Sequence, residues 1–462
     1  MSCFSGDYQE NPATPRPRHL ILLAASAILA GWAGASTNSA PKPAHRILLI
    51  SIDTLRAGAV SSRGTVNIDA LARDSVVFTR ASSPAPWTLP ALASVMTGVS
   101  PRVHLATGLG DRVPERLTTL AEALKRQGLR TAAIVSSPLL GREINLDQGF
   151  QEYMVFPSRA GESPAPPPRL ADLASRWLRG HPKDGFFLWV HFYDPHTPWE
   201  PPPGYLKGME PPPGMGPRLT AAEHLGIRLG ERVPSAAERE WMRRLYEAEV
   251  RWVDDAVGSL MAELKRSGMY DGTLVVLLSD HGEEFWEHGS VGHGHTLYEE
   301  LLHVPFLVKL PGSAPRTVDV PVSTASVAAT LLDLAGKPLP SGYPAARSLV
   351  PFLRGGTLPA EPLLSTGLQR VEEQEAILFG GFKLVRWETS GRQELYDLSR
   401  DPQEKTDLSA SSAKTVQEGT RLLDRFEAES DRARKSLGIL RRERVPLDPE
   451  ARERLKALGY VQ

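Results

Sequence analysis

The sequence predicts an α/β protein whose core is a doubly wound, mostly parallel β-sheet, with a small C-terminal α+β subdomain. Short, continuous apolar runs alternate with stretches of helical periodicity, as expected for strands that helices cover on both faces. The chain has 462 residues, of which 41% are hydrophobic and 23% charged. This is the balance of a globular protein with one large domain and a smaller one.

The elements of the predicted sheet begin at residue 46. Continuous apolar runs predict strands over residues 46–51, 130–135, Phe186–Phe192, 273–279 and 304–310. Apolar residues at helical spacing predict helices between these strands, over residues 117–128 and 238–265. Prolines favour irregular loops over residues 161–169 and 198–217.

The pattern changes beyond about residue 355. Residues 45–355 are predicted to form the main domain, and short alternating stretches such as 376–386 predict a small subdomain over residues 356–410. A charged helix is predicted over Ala413–Leu437, within a tail of residues 411–462.

Residues 1–36 have the pattern of a signal peptide. Arg16, Arg18 and His19 precede an apolar run over residues 20–32, and Ala33-Gly-Ala35 fits a cleavage site of small residues. An uncleaved membrane anchor is the alternative, and residues 37–44 form a linker. Both interpretations place the rest of the chain in the periplasm or outside the cell. Contact with a membrane is expected only through this segment.

Net charge and cysteine content narrow the classes of function that are compatible with this sequence. The formal net charge is −1, so no overall field favours nucleic acid as a partner. Cys3 is the single cysteine and precedes the apolar run. A processed chain would therefore have no disulfide and no cysteine nucleophile or metal ligand.

Acidic and histidine side chains follow two of the predicted strands at the point where each strand ends. Asp53 comes after the first strand, and Asp280 and His281 come after the fourth. In open α/β sheets the ligand site lies beyond the carboxyl ends of the strands. Carboxylates and a neutral imidazole that converge on one point are typical of a metal site, so we expect one divalent ion here. His191 lies inside the third strand and is assigned to the core.

Several sequence blocks, in the right order over roughly residues 45–410, resemble the sulfatase family of the alkaline-phosphatase superfamily. These are residues 48–56 (LLISIDTLR), 67–72 (NIDALA) with 77–78 (VF), 194–198 (DPHTP), 279–283 (SDHGE), 287–289 (EHG), 294–300 (GHTLYEE) with 304–305 (VP), and 394–398 (ELYDL) with 401–402 (DP). The resemblance implies a sulfatase-like fold, with residues 45–355 as the catalytic domain, and hydrolysis of an anionic ester, above all a sulfate ester. It implies calcium, whereas an imidazole in place of the usual amide ligand favours zinc or manganese.

The stretch that matches the nucleophile motif of the family departs from it. Sulfatases carry Cys or Ser followed by x-Pro-x-Arg, and the first residue becomes a formylglycine. The matching residues here are Thr88-Leu-Pro-Ala-Leu92, so a threonine and a leucine replace the two characteristic residues. We therefore expect this chain to lack formylglycine.

Three functions are compatible with this departure. In the first, Thr88 itself is the nucleophile and a fourth metal ligand. With Asp53, Asp280 and His281 it resembles one metal site of phosphodiesterases, which favours a phosphodiesterase or phosphotransferase. In the second, a water activated by the metal hydrolyses a sulfate ester. In the third, the chain is a sulfatase-like binding protein without activity.

Other polar residues of the matching blocks are candidates for the remaining tasks. His196 matches an active-site histidine of the family and is predicted, with His295, to provide acid–base catalysis. Arg56, His288 and His293 are predicted to bind the anionic substrate, for which a sulfated or phosphorylated glycan or lipid is expected.

Overall fold

The computed structural model of the chain describes residues 45–60, 64–156, 164–339, 343–369, 372–446 and 449. The predictions of a signal peptide or anchor over residues 1–36, and of a linker over 37–44, lie outside these residues. Among the described residues, no helix has the length and apolar character needed to cross a bilayer.

The strands, in chain order, are β1 (Arg46–Ile52), β2 (Val76–Phe78), β3 (Ala81–Ser82), β4 (Asp111–Arg112), β5 (Arg130–Ser136), β6 (Glu152–Phe156), β7 (Phe186–Phe192), β8 (Leu274–Ser279), β9 (Glu284–Phe285), β10 (Val291–Gly292), β11 (Phe306–Lys309), β12 (Arg316–Val318), β13 (Val322–Ser323), β14 (Leu363–Thr366), β15 (Gln374–Phe379), β16 (Phe382–Trp387), β17 (Gln393–Asp397) and β18 (Glu443–Arg444). The α-helices are α1 (Val66–Arg73), α2 (Thr88–Thr97), α3 (Pro101–His104), α4 (Leu120–Arg126), α5 (Pro167–Gly180), α6 (Ala221–Arg228), α7 (Ala236–Arg266), α8 (Glu299–Leu302), α9 (Ser326–Leu334), α10 (Val350–Leu353) and α11 (Ala413–Leu437). Single 3-10 turns occur at Ala57–Ala59, Arg142–Ile144 and Pro203–Leu206.

The main sheet has eight strands in the order β12-β2-β11-β8-β1-β7-β5-β6. β11 runs antiparallel to its neighbours β8 and β2, whereas the other pairings in this sheet are parallel. The predicted mostly parallel α/β fold is therefore confirmed. The strand expected over residues 304–310 exists as the shorter β11.

The central strands are mostly apolar because a core covers each face of the sheet. Ile47 and Leu49 of β1 pack into one cluster with residues of α2, α4 and α9. Leu48 and Ile50 pack into the other, with residues of α1, α5 and α7. Since successive side chains of a strand point to opposite faces, a strand between two cores buries apolar residues on both of its faces.

Capping decides where the helices begin. α4 starts at Leu120, three residues inside the predicted span 117–128, because Thr119 and Glu122 form a capping box. α5 starts at Pro167, so the predicted loop over residues 161–169 is wrong at its end. Proline is tolerated in the first helical turn, where its missing N–H has no intrahelical partner to lose.

The C-terminal subdomain is an antiparallel sheet in the order β14-β15-β16-β17 with α11 packed on one face. Leu422 and Leu423 of α11 join Ile377 and Leu384 of the sheet in one apolar cluster. α11 has the predicted bounds, and its apolar residues pack in the core of the subdomain. Further along the chain, β18 pairs with β4.

A buried ion cluster joins this subdomain to α8. The Lys383 ammonium, 1% exposed, lies 3.0 Å from Glu299 Oε1 and 2.8 Å from Glu404 Oε1. The backbone N–H of Glu299 donates to Glu404 Oε2 at 2.6 Å. Because the charges are paired and hydrogen-bonded, the cluster holds the start of α8 in one position.

A neutral histidine is buried between α2 and α3. His104 Nδ1 accepts a hydrogen bond from the Ala106 N–H at 3.0 Å, which assigns the imidazole proton to Nε2, 3.1 Å from Ser94 Oγ. Burial lowers the pKa of His104 to about 3. A second proton would have to enter at Nδ1 and break the bond from Ala106.

We expect His104 to make the protein sensitive to acid. Its pKa is lower in the folded than in the unfolded chain, so stability is lost as pH falls below about 6.5, by roughly 2 kcal/mol between pH 6.5 and pH 5. His104→Gln should remove this component. Urea unfolding of both proteins near pH 7 and pH 5 measures it, and an equal loss of stability in the two would contradict the assignment.

Candidate active site

The carboxyl ends of β1 and β8 bring the predicted metal ligands together. The two strands are parallel neighbours with Ile52 opposite Ser279, so Asp53 and Asp280 leave the sheet side by side. One ligand atom from each of Asp53, Asp280 and His281 lies within 4.8 Å of the others, and all three residues are buried. The expected convergence of these side chains is thus present.

The donor atoms of this cluster fit a divalent cation. His281 Nε2 lies 3.3 Å from Asp53 Oδ1 and 3.6 Å from Asp280 Oδ2. Neither of these two oxygens has a hydrogen-bond partner among the described residues, although both are buried. His281 Nδ1 lies 2.9 Å from the Gly282 carbonyl oxygen, which assigns the proton to Nδ1 and directs the Nε2 lone pair at the carboxylates.

Electrostatics also favours a cation between these groups. Burial and the charge of Asp53 raise the pKa of Asp280 to about 7. Burial acts to raise the pKa of Asp53 as well, but His196, His191 and His281 together hold it below its usual range. Burial alone would lower the pKa of His281, yet the two carboxylates raise it to about 9. The carboxylates thus require a positive charge, which a proton on His281 supplies when no metal is bound.

The Thr88 hydroxyl lies beside the same cluster. Its Oγ1 is 3.4 Å from Asp53 Oδ2 and 3.4 Å from His281 Nε2, and the residue is fully buried. Thr88 is the first residue of α2, after the N-cap residue Trp87. The hydroxyl is therefore at the positive end of a helix dipole, where negative charge is stabilised.

Two further predicted residues pack next to the cluster. The His293 ring centroid is 4.6 Å from that of His281 and 4.8 Å from that of His196. His196 and His293 are each 3% exposed. With His281 they form a row of imidazoles, which is close enough to contact a substrate bound at the cluster.

The other three predicted residues, Arg56, His288 and His295, are each paired with a glutamate. The Arg56 guanidinium lies 2.6 Å from Glu287, and His295 Nε2 lies 2.7 Å from Glu284 Oε2. His288 contacts Glu300 Oε1 at 2.6 Å through Nδ1 and the Glu404 carbonyl oxygen at 3.1 Å through Nε2. These contacts pair the three side chains with glutamates and with the Glu404 carbonyl oxygen, and their proposed roles stay predictions.

Two further buried residues lie near the cluster, although the sequence did not predict them as site residues. His191 is buried as expected of a core residue, but its Nε2 faces Asp53 Oδ2 at 3.7 Å. Glu283 is fully buried, both of its carboxylate oxygens are 3.3 Å from His293 Nδ1, and burial raises its pKa to about 8. A signal for His191 was available, since it and Ser51 are polar residues at matching positions in two apolar strands.

A mostly parallel sheet with two buried carboxylates, an imidazole and a hydroxyl at its carboxyl edge is an architecture suited to hydrolases of anionic esters. The family model described as "Sulfatase" matches residues 45–337, more than half of the chain, and the chain belongs to the sulfatase family. Residues 287–429 also match the model described as "N-sulphoglucosamine sulphohydrolase, C-terminal".

Individual relatives share only a modest sequence identity with this chain. The "Ulvan-active sulfatase" of Formosa agariphila is 28% identical over 338 residues, which cover 64% of this chain and 62% of that protein, less than two thirds of its length. The "Delta 4,5-hexuronate-2-O-sulfatase" of Bacteroides thetaiotaomicron is 24% identical over 473 residues, covering 91% of this chain and 94% of that one.

Among solved structures, the phosphonate monoester hydrolase of Agrobacterium radiobacter shares the fold. It has a TM-score of 0.70 at 23% identity, and the match covers 84% of this chain and 96% of that one. The likeness in fold therefore covers most of this chain.

Proposed function

We propose that this protein hydrolyses a sulfate ester with the help of one divalent metal ion, and that the Thr88 hydroxyl acts in place of formylglycine. The observation that carries the proposal is the position of Thr88 Oγ1, 3.4 Å from Asp53 Oδ2 and 3.4 Å from His281 Nε2. A buried hydroxyl between a carboxylate and an imidazole is placed for activation as a nucleophile.

A sulfated glycan is the substrate class that we propose. Two relatives support it by their names, one as an ulvan-active sulfatase and one as a hexuronate-2-O-sulfatase. We also propose that the enzyme is exported, because sulfated polysaccharides occur outside the cytoplasm and the apolar run over residues 20–32 has the sequence pattern of a signal peptide or a membrane anchor.

Asp53, Asp280 and His281 would hold the metal, with Thr88 beside it. Two buried carboxylate oxygens without hydrogen-bond partners in the described chain are the atoms that fit such an ion. The imidazole ligand favours zinc or manganese over calcium, which prefers oxygen ligands. When bound, the ion supplies positive charge against the ester oxygens and lowers the pKa of an adjacent hydroxyl.

Thr88 attacks the ester in the first step. Its Oγ1 forms a bond to sulfur while the bond from sulfur to the leaving alcohol breaks, which leaves a sulfate ester on Thr88. A threonine ester has no second hydroxyl on the same carbon and cannot expel sulfate by forming a carbonyl. Water must therefore attack the sulfur, break its bond to Oγ1 and restore the threonine.

His196 is the residue that we assign to proton transfer. Its Nδ1 lies 2.5 Å from the Thr197 carbonyl oxygen, which assigns a proton to Nδ1 and leaves Nε2 as the basic atom of the neutral ring. In this scheme Nε2 takes the proton that leaves the Thr88 hydroxyl, and the alkoxide, which departs on the opposite side of the sulfur, takes its proton from solvent. His295 is paired with Glu284, and we assign it no step.

A phosphate ester is the second candidate substrate, for hydrolysis or phosphoryl transfer. It is favoured by the set Asp53, Thr88, Asp280 and His281, which resembles one metal site of phosphodiesterases. Attack on phosphorus needs the same in-line hydroxyl and the same release by water or another acceptor. The fold does not discriminate between a sulfate ester and a phosphate ester, since a phosphonate monoester hydrolase shares this fold.

Turnover of three nitrophenyl esters tests the proposal. The sulfate, the phosphate and the bis-nitrophenyl phosphate are compared in metal-free protein and after addition of Zn²⁺, Mn²⁺ or Ca²⁺. We expect hydrolysis of the sulfate, lost with chelator and restored by Zn²⁺ or Mn²⁺. Faster turnover of a phosphate ester would establish the second candidate. No turnover of any ester by fully metal-loaded protein would identify a binding protein.

A further inference from the structure

A chain of buried polar groups lies behind Asp53, on the side away from Asp280 and His281. Trp189 Nε1 donates a hydrogen bond to Ser51 Oγ at 2.8 Å, and Ser51 Oγ lies 2.8 Å from His191 Nδ1. His191 Nε2 then faces Asp53 Oδ2 at 3.7 Å, an ion-pair distance that is too long for a hydrogen bond, and among the described residues it has no hydrogen-bond partner. Each of these four residues is 0% exposed, so no solvent competes for their hydrogen bonds.

The direction of these hydrogen bonds follows from the donors present. An indole N–H can only donate, so Ser51 Oγ accepts from Trp189. The Ser51 hydroxyl must place its own proton on an acceptor, and His191 Nδ1 is the acceptor within reach. With Nδ1 accepting, a neutral imidazole carries its proton on Nε2, so the N–H of His191 points toward the Asp53 carboxylate.

We propose that His191 is a positioning residue for the metal site, and that its Nε2–H, directed by Ser51 and Trp189, orients the Asp53 carboxylate for metal binding. Asp53 is the ligand that contacts both Thr88 and His281, so a rotation of its carboxylate would disturb the whole cluster. This inference rests on the metal site of the proposed function. It assigns to His191 a role distinct from that of a ligand.

Outer groups that pair with a metal ligand set its orientation, and their loss typically weakens metal binding about 10- to 100-fold. His191 fits this description better than that of a fourth ligand. A ligating imidazole must offer a lone pair, whereas the hydrogen bond from Ser51 leaves a proton on the nitrogen that faces the site.

The structure provides a matched control for a test of this role. Ser94 and His104 form a second buried Ser–His pair, with Oγ and Nε2 3.1 Å apart, and His104 takes its other hydrogen bond from a backbone N–H instead of facing a carboxylate. Ser51→Ala and Ser94→Ala each remove one hydroxyl from a buried imidazole. Only the first should change metal binding.

The experiment is calorimetric titration of Zn²⁺, Mn²⁺ and Ca²⁺ into the metal-free full-length protein, together with its unfolding midpoint in chelator. We expect Ser51→Ala to weaken binding of the preferred ion about 10- to 100-fold, and Ser94→Ala to leave it within about twofold. Equal effects of the two substitutions on binding would overturn the proposal. Absence of binding by the unaltered protein would overturn the metal site itself.

A second pair of variants guards against a folding defect. His191→Gln keeps an N–H near the position of Nε2, whereas His191→Leu removes it. We expect Gln to retain most of the affinity and Leu to lose at least about tenfold. The absorption spectrum of the Co²⁺ form should be alike in the unaltered protein and the Gln variant. Equal losses in both variants, with a changed Co²⁺ spectrum, would instead identify His191 as a ligand.

Discussion

Replacing Thr88 by alanine is expected to abolish ester hydrolysis, with turnover falling at least about 10³-fold. The substitution removes the side-chain oxygen of Thr88, which lies 3.4 Å from both Asp53 Oδ2 and His281 Nε2. Without it the substrate has no enzyme-bound nucleophile, and the remaining rate would come from charge stabilisation and binding alone. Initial rates at saturating nitrophenyl ester and metal ion measure the effect.

Two controls make this result specific. Thr97→Ala alters the other end of α2, where the buried Thr97 hydroxyl donates to the Ala93 carbonyl oxygen at 2.6 Å, and should leave turnover unchanged. Thr88→Ser keeps the hydroxyl and should retain activity within about tenfold. If Thr88→Ala kept its activity, a water would have to be the attacking group, as in the alternative for sulfate esters considered from the sequence.

The central part of the fold follows from local sequence patterns, whereas its edges do not. β1, β5, β7 and β8 lie between two cores, so burial favours apolar residues on both faces of each strand and makes the strands visible as nearly continuous apolar runs. β2 and β12 have three residues each, too few to show a periodicity. The reversed direction of β11 depends on its neighbours β8 and β2, which its own residues do not encode.

The candidate site also contains residues that the sequence could predict and residues whose partners it could not. Asp53, Asp280 and His281 could be predicted because they directly follow strands, and the parallel register of β1 and β8 then brings them together. Arg56 and His295 lie in or face loops, where nearby glutamates compete for them. Glu287 pairs with Arg56 and Glu284 with His295, and no strand end determines which partner is chosen.

Replacing Asp280 by asparagine is the second substitution for which we expect a large effect, at least about 10³-fold in turnover with loss of metal binding. The side chain keeps its shape but loses the charge that attracts the cation. In metal-free protein the cluster holds two buried carboxylates against one imidazole, and removal of one carboxylate relieves their repulsion. The variant should therefore be at least as stable as the unaltered protein in chelator.

With metal present, the unaltered protein should be more stable than Asp280→Asn. This reversal of the order of stability distinguishes a metal site from a buried ion pair. An ion at about 100 times its dissociation constant stabilises the unaltered protein by roughly 2.7 kcal/mol and the variant by almost nothing. Thermal unfolding with and without the ion measures both effects. Asp254→Asn is the matched control, because the buried Asp254 carboxylate accepts from the N–H groups of Asn67 and Ile68 at 3.0 and 2.8 Å. It should lose stability by the same amount with or without the ion, whereas equal stabilisation of Asp280→Asn and the unaltered protein by the ion would place the metal elsewhere.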